Sequence, residues 1–89
     1  MRYFVYFEDS QGHLRQATIN VDGQPSYYLL CARIRVLMPE DYFFLLLVTE
    51  RGAPVLGPRQ FDKVLRTDEG IVALAKELEK HVVLRLNDD

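Results

Sequence analysis

Tyr42-Phe43-Phe44-Leu45-Leu46-Leu47-Val48-Thr49 is the stretch that decides how this chain folds. Its first seven residues are apolar or aromatic without a break, and Pro39-Glu40-Asp41 and Arg51-Gly52 bound it. The run is too short to cross a membrane as a helix. Its aromatic and branched side chains suit a pleated, packed surface, so it reads as a strand. Successive side chains of a strand point to opposite faces, so this strand is apolar on both. One face can line a core; the other must be covered by something else. That second face is the strongest functional signal in the chain.

On its N-terminal side, residues 27–38 place Tyr27, Leu30, Cys31, Ile34, Leu37 and Met38 at three- and four-residue spacing. This spacing predicts a helix, with Ser26 as its cap and Pro39 as its stop. Tyr28, Leu29 and Val36 fall off that stripe. A strand remains the alternative, since Arg33 and Arg35 alternate with Ala32, Ile34 and Val36. Further upstream, residues 3–7 read as a strand with Tyr3, Val5 and Phe7 on one face and Phe4 and Tyr6 on the other. Glu8-Asp9-Ser10-Gln11-Gly12 is a polar turn ending in glycine. Residues 13–21 follow as a second strand with one wet face, Gln16, Thr18 and Asn20 opposing Ala17, Ile19 and Val21.

On its C-terminal side, Glu50-Arg51-Gly52-Ala53 is a turn and Pro54-Val55-Leu56 a short return strand. Gly57-Pro58 opens a short helix with Phe61, Val64 and Leu65 facing inward. Thr67-Asp68-Glu69 starts another, its acids where the helix dipole favours them. Ile71, Leu74, Ala75 and Leu78 form its apolar stripe. Residues 81–86 read as a closing strand, with Val82, Leu84 and Leu86 on one face and Val83 and Arg85 on the other.

Eighty-nine residues make one small domain, either whole or the N-terminal domain of a longer chain. A 48% apolar and 27% charged composition is that of a globular protein, which excludes a disordered tail. The net charge of −2 supplies no general attraction to nucleic acid or anionic membrane. Cys31 is the sole cysteine, so no disulfide framework is expected and a reducing compartment fits. The aromatic start is followed at once by acids, unlike a signal peptide. The expected location is cytoplasmic, with nuclear or cytoskeletal association open.

No catalytic set is readable. Nucleophilic chemistry needs an activated nucleophile beside a base; Cys31 falls on an apolar stripe, and His13 and His81 are far apart in sequence. One cysteine and two histidines do not suggest a zinc site, and no glycine-rich phosphate loop is present. The acid pairs Glu8-Asp9, Glu40-Asp41, Asp68-Glu69 and Asp88-Asp89 suit turns and helix caps. The expectation is therefore a protein that is not an enzyme, with no metal, cofactor or small-molecule substrate. Arg33 and Arg35 either grip an acidic partner or lie solvated on the helix's outer side.

Hairpin, helix, strand with return strand, helical turns and closing strand is an order that resembles the ubiquitin-like β-grasp superfamily. Met38-Pro39-Glu40-Asp41 leading into 42–49 looks like the ubiquitin-like helix-to-strand passage, and Val82-Val83-Leu84-Arg85-Leu86 is similar to the last strand of ubiquitin. Thr67-Asp68-Glu69-Gly70, the helix after it and Leu84-Arg85-Leu86 also resemble the end of Phox/Bem-type domains. Two features depart from these patterns. The sequence closes with Asn87-Asp88-Asp89 where a diglycine would serve conjugation, and Thr49-Glu50-Arg51-Gly52-Ala53-Pro54 lacks the clustered acids of the Phox/Bem pairing motif.

The resemblance implies an α+β fold: a mixed sheet of four to five strands on one main helix, with an additional helix before the last strand. In such a sheet the first, last and central strands lie side by side. Phe4, Tyr6 and Val83 then form an apolar band with alternate residues of 42–49, either Phe43, Leu45 and Leu47 or the opposite set. The implied function is non-catalytic protein association through this face. Phe4, Tyr6 and Val83 would be anchors, Phe43 and Leu45 their neighbours, Arg85 the rim, and Arg33 and Arg35 secondary contacts. The partner is another protein or a second copy of the chain, the latter making a self-associating assembly unit. Burial of the band under residues 57–80 or a neighbouring domain is the competing expectation. A ligand-binding or regulatory domain, with 27–38 as a strand, is a third.

Overall fold

A computed structural model describes the backbone of residues 1–87 and the side chains of residues 1–80. Seven elements follow in order: β1 (Arg2–Glu8), β2 (Leu14–Asn20), α1 (Tyr27–Leu37), β3 (Phe43–Thr49), β4 (Pro54–Leu56), α2 (Pro58–Leu65) and α3 (Asp68–Asn87). The architecture is α+β.

Local chemistry sets the boundaries. In the β1–β2 turn the Asp9 carboxylate accepts the backbone N–H groups of Gln11 and His13, both at 2.9 Å. Gly12 closes that turn at φ 82°, a conformation that disfavours any side chain. Ser26 caps α1, its Oγ accepting from the Leu29 N–H at 3.2 Å. Residues 27–37 are thus a helix, not the alternative strand. Pro58 sits in the first turn of α2, where its missing N–H costs nothing.

The strands form one sheet in the order β2-β1-β3-β4, antiparallel throughout. This differs from expectation in two linked ways. The sheet is not mixed, and residues 81–86 form no closing strand: the backbone stays helical to Asn87. No glycine or proline follows Gly70 to end that helix, and Leu and Arg are good helix formers. The place between first and central strands is closed by β1 pairing directly with β3.

A bulge interrupts that pairing. Tyr6 faces Leu46 but Phe7 faces Phe44, so Leu45 is an extra residue with no opposite number. The inward parity of β3 therefore switches at Leu45. Phe44 and Leu47 enter the core, while Phe43, Leu46 and Val48 lie in register with the other face. Neither simple alternation expected from the sequence holds along the whole strand.

The core joins Tyr3, Val5 and Ile19 of the first hairpin to Leu30, Cys31 and Ile34 of α1 and to Leu47 and Leu56. Phe61 of α2 completes it, stacked on Phe44 at 4.4 Å between ring centroids. Of the expected α1 stripe, Tyr27 and Leu37 are exposed, while Met38 packs against the core.

The third helix covers the side of α1 that carries Leu29 and Val36, two of the residues off that stripe, while Tyr28, the third, is 37% exposed. Leu29, Ala32, Arg33 and Val36 share a second face of α1 at three- and four-residue spacing. Ala32 is fully buried yet outside the sheet-side core, and Arg33 reaches Glu77 of α3. With α3 packed on it, α1 is covered on two sides.

The face that α3 turns inward is not its apolar one. Gly70 and Glu77 are buried and Ala73 and Leu74 half-buried, whereas Ile71 and Leu78 are 55% and 47% exposed. The apolar stripe expected to face inward is thus split. Gly70 permits this orientation: a Cβ there would lie 1.9 Å from the Val64 carbonyl oxygen at the end of α2. Thr67 locks the same corner, its hydroxyl donating to the Val64 carbonyl at 2.6 Å and accepting the Gly70 N–H at 3.0 Å.

Candidate interaction surface

Among the described residues, the core that joins the helices to the sheet lies on the side of Tyr3, Val5, Phe44 and Leu47. Helix α3 packs on α1 and α2. The opposite side, with Phe4 and Tyr6 on β1, is covered by no helix among the described residues. Residues 57–80, expected as one cover for it, lie instead on the α1 side.

Strand register builds that open face as a grid. Phe4 lies between Thr18 of β2 and Val48 of β3, and Val48 is followed by Pro54 of β4. Tyr6 lies between Gln16 and Leu46, and Glu8 between Leu14 and Phe43. At the far end Arg2 faces Asn20 and sits 3.8 Å from Glu50. The centre is therefore apolar and aromatic, with polar side chains along β2 and charges at both ends. Val48, between Phe4 and Pro54 in register, is 6% exposed. Phe43, at a corner, is 59% exposed.

The expected site residues divide into groups. Phe4, Tyr6 and Phe43 come together on this face. Leu45 is the half-buried bulge residue. Arg33 is engaged elsewhere, its Nη2 lying 3.5 Å from Glu77 and its Nη1 donating to the Asn20 carbonyl at 3.5 Å. Arg35 lines a cleft of about 290 Å3 with Tyr42, Phe61, Glu40 and Asp62, on the helix side of the sheet, and Phe43 at the corner of β3 borders this cleft as well. Both arginines are therefore separated from Phe4 and Tyr6 by the sheet itself. Val83 and Arg85 belong to the last turns of α3, outside the residues whose side chains are described, and not to a sheet strand. Leu46 and Val48 replace Leu45 and Val83 in the apolar grid. An unbroken apolar run carries no mark of where a bulge falls, so the sequence held no signal for that exchange.

Among the described residues, two titratable groups are displaced from their usual range. The Asp9 carboxyl is held below it, chiefly by the backbone N–H of His13, with Arg15 Nε at 2.9 Å and the Gln11 N–H adding to the effect. Burial opposes that shift without overcoming it. Burial also pushes the Cys31 thiol up to about 11, which keeps it protonated and unreactive at neutral pH. Among the described residues no group of three or more His, Cys, Asp or Glu side chains is placed to hold a metal ion. No helix among them is long and apolar enough to cross a membrane. Compared with family models, with curated proteins and with solved structures, the chain matches none.

Proposed function

We propose that this chain is a non-catalytic protein-association domain that binds through the open face of its sheet. One observation carries the reading. Phe4, Tyr6, Leu46 and Val48 form a contiguous apolar grid on a face that no described helix covers. Phe4, Tyr6 and Leu46 are half-buried and Val48 buried, so the grid is a close-set apolar surface with a polar margin, and aromatic anchors are where the binding energy of such a surface concentrates. Phe4, Tyr6 and Phe43 are the anchors in this reading, with Gln16, Thr18 and Arg2 as the margin.

The ubiquitin-like resemblance supports the same role, since such domains commonly bind through this face. The order β2-β1-β3-β4 is the β-grasp order with the last strand left out of the middle, and we read the fold as that variant. The test is capture of a protein partner by the immobilised chain, comparing wild type with Tyr6→Asp and Phe43→Asp. Both variants should remain folded by circular dichroism and lose the partner. Unfolding of both would show that the face is core, and undiminished capture would move the site elsewhere.

A further inference from the structure

The open face has a symmetry that its individual residues do not reveal. Along β1 the outward side chains run Arg2, Phe4, Tyr6, Glu8: a cation, two aromatic rings and an acid. Along β3 the outward pair beside the rings is Val48 and Leu46. Read backwards, the pattern becomes acid, two rings, cation, with the aliphatic pair still alongside. We infer that this face pairs with a second copy of itself, face to face, about a two-fold axis running across the strands midway between Phe4 and Tyr6. The inference rests on the proposed use of the face and names its occupant.

The geometry is self-consistent. Rotation about that axis lays β1 on β1 in the opposite direction. Arg2 then stands over Glu8 of the second copy, Phe4 over its Tyr6, and Val48 over its Leu46. Each contact occurs twice, as an isologous interface requires. Like-directed stacking would instead set Arg2 on Arg2 and Glu8 on Glu8, so these two charges favour the antiparallel arrangement, in which Arg2 lies between Glu50 of its own chain, 3.8 Å away, and Glu8 of the second copy. Two sheets stacked this way sit about 10 Å apart with interleaved side chains. Seven-residue strands at about 3.4 Å per residue, spaced about 4.8 Å apart, give a footprint on the order of 400 Å2 per copy. A pair then buries roughly 800 Å2 in total, below the range of stable specific interfaces, which makes the dimer weak and concentration-dependent.

The experiment is the mass of the 89-residue chain by light scattering from about 10 μM to about 1 mM, where a contact of this size titrates. The expected result is a rise from monomer to dimer that stops there. Arg2→Glu and Glu8→Lys should each weaken the dimer by about tenfold or more, since each sets like charges opposite one another. An equimolar mixture of the two variants should recover it, because Glu at position 2 then meets Lys at position 8 and Arg2 meets Glu8. Both changes lie at the ends of the row, Arg2 exposed and Glu8 half-buried, and circular dichroism verifies that each variant is folded. A monomer at every concentration overturns the self-pairing; loss of partner capture by Tyr6→Asp would still uphold the broader reading. Dimers indifferent to these variants, or growth beyond the dimer, also overturn it.

Discussion

Arg33 Nη2 of α1 lies 3.5 Å from Glu77 Oε1 of α3, and the Glu77 side chain is 9% exposed. The same guanidinium donates to the Asn20 carbonyl at the end of β2. One side chain thus ties three elements, and the buried acid has a cationic partner, with Lys80 at 3.7 Å as a second. Arg33→Ala should cost about 1–3 kcal/mol, because it strips a buried charge of its main partner. Replacing the pair together, Arg33→Met with Glu77→Leu, should restore most of the loss. Urea denaturation of the two single variants and the double variant measures that coupling.

Leu46 and Leu47 are neighbours in sequence with opposite fates. Leu47 is 0% exposed inside the core, whereas Leu46 sits half-buried on the open face. Leu47→Asp should cost more than about 5 kcal/mol and abolish a cooperative transition, since it buries an unpaired charge. Leu46→Asp should cost about 1–2 kcal/mol and leave the fold intact. Thermal unfolding by circular dichroism separates them. Equal loss in both would mean that the outer face is also core.

Gly70 is the corner on which α3 turns. Its absent Cβ leaves room for the Val64 carbonyl oxygen, which no side-chain rotation can move aside. Gly70→Ala, although it adds helix propensity, should destabilise by about 1–3 kcal/mol through this clash. A neutral or stabilising result would refute the close approach of α2 and α3.

Asp9 carries a pH signature with a definite sign. Its folded pKa lies below the ordinary value of about 3.9 that it regains on unfolding. Its stabilising contribution is therefore complete above that value and disappears as pH falls through the folded pKa. Asp9→Asn should lower stability near neutral pH and reduce its fall between about pH 5 and the folded pKa. Denaturation midpoints of the two proteins across that range decide the matter.

Cys31 should be inert. With its thiol raised to about 11 and its side chain inaccessible, it should react with a thiol-specific reagent at neutral pH only after unfolding. Cys31→Ser should cost about 1–3 kcal/mol, the penalty for burying a hydroxyl among apolar neighbours. Rapid labelling of the native protein would contradict this.

The sequence by itself determined the elements up to α3, because each is written in local chemistry. Residues 27–37 have a serine cap, helical spacing and a proline stop, and β1 and β2 are joined by a turn that Asp9 and Gly12 close. It also determined that β3 is apolar on both faces, and hence that one side of the sheet needs a role. Tertiary structure decided which residues occupy that side. The bulge at Leu45 exchanged the inward and outward residues of β3, an outcome of pairing with β1 that β3 alone does not encode. Residues 81–86 alternate well enough for a strand, yet with β1 and β3 already paired they continue the helix. The orientation of α3 was likewise a matter of contact: Gly70 fits beneath the end of α2 and Glu77 meets Arg33, so close packing and a matched charge outweighed the burial of Ile71 and Leu78.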